Sequence, residues 1–167
     1  VHFSFSLTFH LRCCYLQSNK SGCYNQHMTT PVFQLSESEA ACTCAGQLHP
    51  EAIHGLHLFN DKRFYDAHEA FENAWRAEKD PIRELYRGIL QVGAAYYQIQ
   101  RGKYEGGIAF FTSCRKWLDP FPDVCRGIQV AQLRRDFQVV EKALIQLGPE
   151  KINLFNPDIF KPVLFTL

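Results

Sequence analysis

FYDAHEAFENAWR, running from Phe64 to Arg76, decides the fold. Phe64, Ala67, Phe71, Ala74 and Trp75 recur at steps of three and four, the spacing that makes one face of an α-helix. Such a face must be covered, so this helix needs helical neighbours. Polar residues border it. His68 stands four positions before Glu72, and Glu69 three before it, so one imidazole and two carboxylates can converge within about one turn.

Working outward, the same logic yields helices on both sides. Upstream, Pro50 suits a first helical position, and Ile53, Leu56 and Phe59 carry a helix to about Asn60, where Asn60-Asp61-Lys62 supplies a turn. Downstream, the central helix ends near Glu78. Asp80-Pro81 then gives a cap followed by proline, opening a long helix through Arg101 that Gly102 stops. A further helix spans about Tyr104 to Leu118, ended by Asp119-Pro120-Phe121-Pro122. Val130, Leu133, Phe137, Val140, Leu144 and Leu147 form a narrow seam that wants a helical partner, inside the bundle or on a second copy of the chain. Gly148-Pro149 closes that helix. The expectation is an all-α fold, a compact bundle of about five helices built from antiparallel helical hairpins. Phe64, Ala67, Phe71 and Ala74 have counterparts 40 residues on in Tyr104, Gly107, Phe111 and Cys114, which gives weak tetratricopeptide-like repeat character.

The helical domain is thus 48–148. Residues 149–167, with Phe155, Phe160 and Phe165, read as a C-terminal arm packed on the bundle. Residues 1–47 read as a poorly ordered lead-in, with 29–47 alternatively a short extra helix. Met28-Thr29-Thr30-Pro31 looks like a start, so residues 1–27 are expected to lie outside the native protein. A signal peptide is the weaker reading, because Ser4, Ser6, Thr8 and His10 interrupt the apolar run Phe3 to Leu11.

A chain of 167 residues, 46% of them hydrophobic, suits one domain with a sizeable core. Lys and Arg total 18 against 17 acidic residues, so no charge excess draws it to nucleic acid or an anionic membrane. No stretch reaches the roughly 18 apolar residues of a membrane span. Five of the seven cysteines precede position 45. The odd count and irregular spacing argue against a disulfide scaffold, and Cys42-Thr43-Cys44 lacks the second pair of a zinc site. The compartment reads as reducing, hence cytoplasmic.

LFNDKRFYDAHEAFENAWR followed by DPIRELYRGILQVGAAYYQIQRGKYEGG closely resembles domain-of-unknown-function family 309, over about Leu56 to Leu118. Two separated blocks match in order. The resemblance implies an all-helical fold, and some members carry the label of predicted metal-dependent hydrolase. Its characteristic polar positions fall on His68, Glu69, Glu72, Trp75 and Gln91. Many relatives have a histidine where this chain has Gln98, which removes a possible ligand.

On the long helix, Gly88, Gln91, Ala95 and Gln98 share a face among small residues, so Gln91 and Gln98 could face His68, Glu69 and Glu72. One reading makes His68 a base or ligand and the glutamates cation ligands, with His68, Glu69 and Glu72 as catalytic and metal candidates and Trp75, Gln91 and Gln98 as binding residues. The other, which we favour, is a buried polar network that fixes helix register. Glu51 and His54 have the Glu-x-x-His spacing of di-iron bundles, but one such motif stands alone, and His54, His57 and Asp61 read as a solvated face. Two functions stay open. The favoured one is a non-catalytic binding or scaffold domain with no cofactor, taking a peptide or protein partner, a small ligand or a second copy of itself. The alternative is a hydrolase using a divalent metal ion at His68, Glu69 and Glu72.

Overall fold

The computed structural model of the chain describes residues 33–167, and the proposed start at Met28 lies outside them. The fold is all-α. Six α-helices occur among the described residues: α1 (Glu37–Cys44), α2 (Pro50–Asn60), α3 (Phe64–Ala77), α4 (Ile82–Gln100), α5 (Tyr104–Leu118) and α6 (Val130–Leu147). Two 3-10 turns, Pro149–Leu154 and Pro157–Ile159, follow. No described helix is long and apolar enough to cross a membrane.

Residues 33–47 carry a helix, the second of the two readings for that stretch. Ser36 caps α1: its hydroxyl accepts the Glu39 N–H at 3.3 Å while its own N–H donates to the Glu39 carboxylate at 2.8 Å. That reciprocal pair satisfies two of the amide donors a helix start leaves open. Pro81 flanks α4 in helical conformation, and the Asp80 carbonyl accepts the Arg83 N–H at 3.0 Å, so the Asp80 side chain makes no cap. At the far end Gly102 takes a φ of 69°, the left-handed conformation that ends a helix at little cost to glycine.

α2, α3, α4 and α5 pack each against the next in sequence. Their core is a cluster of rings. Phe59 of α2 meets Phe64 of α3 edge-on at 5.2 Å, both touch Tyr96 of α4, and Tyr96 continues to Phe111 of α5 at 6.1 Å. Aromatic pairs of this kind add to burial because ring edges are positive and faces negative. α6 closes the stack: Phe111 lies parallel to Phe137 at 6.0 Å. Val130, Leu133, Phe137, Val140 and Leu144 are all buried. The seam of α6 is thus covered inside the chain at five of its six positions, and Leu147 is half-buried.

The C-terminal arm is held along its length. Phe160 and Val163 are buried, and Asn60 brackets Val163, its amide donating to the Val163 carbonyl at 3.0 Å and its carbonyl accepting the Val163 N–H at 2.7 Å. Beyond these, the Thr166 N–H donates to the Gly127 carbonyl at 3.2 Å.

Cys44, at the end of α1, is disulfide-bonded to Cys125 in the α5–α6 connection, 81 positions away. The argument against a disulfide scaffold, on which the reducing compartment rested, made no provision for this one bond. Pairing depends on where the fold brings two side chains, and spacing in sequence carried no trace of it. Arg126 reinforces the junction: its Nε donates to the Thr43 carbonyl at 2.8 Å, its Nη1 donates to the Gln47 carbonyl, and Glu78 lies 3.8 Å away.

Candidate functional site

α4 lies between α3 and α5, antiparallel to both. On the α3 side Tyr65 meets Tyr97 at one end, ring centroids 5.8 Å apart, and Trp75 meets Arg83 and Arg87 at the other. On the α5 side Gln98 lies against Gly106 and Gly88 against Leu118. The approach at Gly88 is close: a Cβ there would sit 2.5 Å from a Leu118 methyl carbon. Glycine at this position lets α5 come near enough for its last turn to face Arg87.

The structure divides the three residues singled out on α3. His68 is half-buried, Glu72 is buried and Glu69 is exposed. The cause is the helix pitch, which puts Glu69 roughly 100° around the axis from His68 and farther from the core face. Glu69 instead lies one turn from the exposed Tyr65, and its charge pushes the Tyr65 phenol pKa up. Glu72 accepts from Arg76 at 2.5 Å, an i,i+4 pair in which the carboxylate is 8% and the arginine 56% exposed. Among the described residues no three His, Cys, Asp or Glu side chains are grouped as a metal ion would require. His54, His57 and Asp61 of the isolated Glu-x-x-His region are exposed.

Gln91 and Gln98 are each 7% exposed. The amide oxygen of each is buried and has no hydrogen-bond partner among the described residues. Gln98 packs on α5 because Gly106 offers no side chain; a Cβ there would lie 3.1 Å from the Gln98 chain. Its surroundings therefore include α5, and not only the α3 residues that the face of α4 suggested.

Toward the start of α4 the same strip becomes cationic and aromatic. Trp75 carries Arg83 over its ring at 4.6 Å and Arg87 at 5.4 Å. Arg87 also lies over Trp117 of α5, 3.9 Å from its centroid, and Lys116 is 4.6 Å from that same ring. The ring faces attract these cations, an effect worth about 0.5–2 kcal/mol each. Glu84 stands 3.6 Å from both Arg83 and Arg87, beyond hydrogen-bond reach. The Lys116 pKa is pushed down, first by burial and then by repulsion from Arg87, with Glu84 opposing weakly.

Residues 52–109 match the family model described as the domain of unknown function DUF309. The match to DUF309 takes in α2, α3, α4 and the start of α5, and so holds His68 through Gln98; it ends before Lys116 and Trp117. An uncharacterised protein of Aquifex aeolicus (strain VF5) is 27% identical over 106 residues, which are 63% of this chain and 29% of that relative. The chain thus spans under a third of the length of the curated relative it matches.

Arg83, Arg87, Lys116 and Trp117 were not singled out from the sequence as site residues. Arg83 and Arg87 are four apart, which was a usable sign of a shared helix face. That Trp75 and Trp117 flank them from two other helices depends on the approach at Gly88, and periodicity within one helix cannot report that.

Proposed function

We propose that this chain is a non-catalytic helical binding domain, and that its ligand-facing surface is the strip of α4 between α3 and α5. One observation carries the reading: Arg87 is held between two indole rings donated by neighbouring helices. A guanidinium stacked between indole rings has its plane fixed, and such stacked arginines are suited to recognition. The acidic residues of α3 do not converge on one point: Glu72 is buried and paired with Arg76, whereas Glu69 is exposed. A small ligand or a peptide suits such a strip better than a second copy through α6, whose apolar seam is largely covered.

The discriminating experiment is metal analysis of the purified full chain, together with an assay on a panel of simple ester and phosphoester substrates. A chain that copurifies with less than stoichiometric metal and turns over none of them supports the binding domain. Stoichiometric zinc, manganese or iron that is lost in both His68→Ala and Glu72→Gln, with turnover lost in parallel, overturns it in favour of a hydrolase.

A further inference from the structure

We infer that residues 33–47 form a redox-controlled cover over the aromatic face of Trp117 and Phe121, latched by the Cys44–Cys125 disulfide and released when that bond is reduced. The inference goes beyond the binding-domain reading and does not depend on it. The segment has little packing of its own to hold it. Of the eight residues of α1 only Thr43 is buried, and α1 makes no extensive contact with another described helix. A helix this short is marginal in water, so its place on the bundle must come from tethers. At its front Phe33 lies on the bundle, its ring centroid 6.2 Å from that of Trp117 and 5.9 Å from that of Phe121. Trp117 is half-buried under this contact, and it is one of the two rings that hold Arg87.

The tethers divide into a hinge and a latch. Leu48 is buried and the His49 N–H donates to the Tyr86 hydroxyl at 3.1 Å, which anchors the chain just behind the segment. The latch is the disulfide, the one covalent link from α1 to the rest of the described fold. Arg126 supplements it. Its side chain donates to the Thr43 and Gln47 carbonyls and its own N–H to the Cys44 carbonyl at 3.3 Å, so all three bonds fall on residues 43–47 and none reaches Phe33. Arg126 also takes a φ of 46°, a left-handed conformation whose cost to a residue with a Cβ offsets part of what those bonds contribute. Opening does not strand its charge, because Glu78, 3.8 Å away at the end of α3, stays on the bundle.

The two sulfurs differ in access. Cys125 is fully buried and Cys44 only half-buried, so a reductant reaches the bond from the Cys44 side. The partner for that step is a dithiol. One of its thiolates attacks the Cys44 Sγ, the bond to Cys125 breaks, and the electron pair leaves on the Cys125 Sγ, which takes up a proton. The second thiolate of the dithiol then attacks its neighbour in the mixed disulfide, Cys44 leaves and is protonated, and the dithiol ends as a disulfide. Two electrons and two protons pass to the protein, and re-oxidation by a disulfide such as oxidised glutathione reverses the exchange.

Hydrogen exchange read by mass spectrometry on the full chain, before and after dithiothreitol, tests this. On reduction, exchange across 33–47 should accelerate by about tenfold or more toward that of an unstructured peptide, while α3, α4 and α5 keep their protection. Tryptophan emission should move to longer wavelength as Trp117 is uncovered; Trp75 and Trp117 are the only tryptophans in the chain. Removing the reductant and adding oxidised glutathione should restore both signals. Cys44→Ser should show the released state without reductant, and Phe33→Ala should give the emission shift with the disulfide intact, which keeps the test decisive if Cys44→Ser does not fold. Protection of 33–47 that survives reduction overturns the proposal, since Arg126 then suffices as the latch. So does a bond that dithiothreitol opens only in denaturant, or a loss of protection that spreads to α3, α4 and α5, because either makes the crosslink a structural one.

Discussion

Phe160, in the C-terminal arm, lies flat on Tyr96 of α4, the ring centroids 4.3 Å apart and the planes 14° from parallel. Phe160 also meets Phe64 edge-on at 5.6 Å, so the arm completes the ring cluster between α2, α3 and α4. Replacing it should open a cavity that nearby side chains fill only partly. Phe160→Ala is expected to cost about 3 kcal/mol, the lower end for a large aromatic because the arm can shift to collapse the space. Urea denaturation followed by far-UV circular dichroism measures this. A loss below about 1 kcal/mol would mean that the arm is not part of the cooperative unit.

Glu72 and Arg76 form a pair with unequal burial, and the inequality sets the outcome of cutting it. Arg76→Ala strands a carboxylate that is 8% exposed, whereas Glu72→Gln leaves an arginine that is 56% exposed and can turn to water. Arg76→Ala should therefore destabilise by about 1 kcal/mol, since the partner is solvent-facing and the pair only partly desolvated. In the double variant the cost should be less than the sum of the two single changes by about 0.5 kcal/mol or more, the signature of coupled neighbours. Strict additivity in a denaturation series would show that the pair contributes nothing.

The helices were legible because each one carries its own instructions. Phe64, Ala67, Phe71 and Ala74 are buried in α3; of their counterparts 40 residues later, Gly107, Phe111 and Cys114 are buried in α5 and Tyr104 is half-buried. Gly102 and Gly148, read as stops, both take positive φ just beyond α4 and α6. Even α1 carries a local signal in Ser36-x-x-Glu39, a capping box. What stayed hidden depends on more than one element. The Cys44–Cys125 pair joins a helix end to a loop across most of the domain, and the Trp75–Arg87–Trp117 stack needs three helices in register. Glu69 is a different case: the pitch alone sets its direction, and an i,i+3 spacing to Glu72 does not.

Tyr65 and Glu69 give a pH-dependent test of that placement. The neighbouring carboxylate holds the Tyr65 phenol above its ordinary value of 10.0, with burial adding to the effect. Because the folded value lies above the unfolded one, the associated stability is present in full below the unfolded pKa and is lost as the pH rises through the folded one. Glu69→Gln should bring the Tyr65 titration back toward 10.0, read from its ring carbon resonances in an NMR pH series. The alkaline loss of stability that this difference causes should shrink in the same variant. A Tyr65 titration indifferent to Glu69→Gln would place the carboxylate elsewhere.

The Cys44–Cys125 bond closes a loop of 81 residues, and the chain-entropy model assigns such a crosslink about 4 kcal/mol through restriction of the unfolded chain. Cys44→Ser should lower stability by up to that amount, and a reductant should lower the wild-type denaturation midpoint while leaving the variant unmoved. Two thiols among the described residues serve as internal controls. Cys42 is exposed and should be alkylated in the native protein, whereas Cys114 is buried, its pKa pushed up first by that burial, and should react only on unfolding. Peptide mapping without reduction checks all three statements together: the linked peptide carrying Cys44 and Cys125 must be present, Cys42 labelled and Cys114 unlabelled. A denaturation midpoint that ignores reductant, with Cys44 recovered as an alkylated thiol, would show that α1 is held by Arg126 and its carbonyl partners alone.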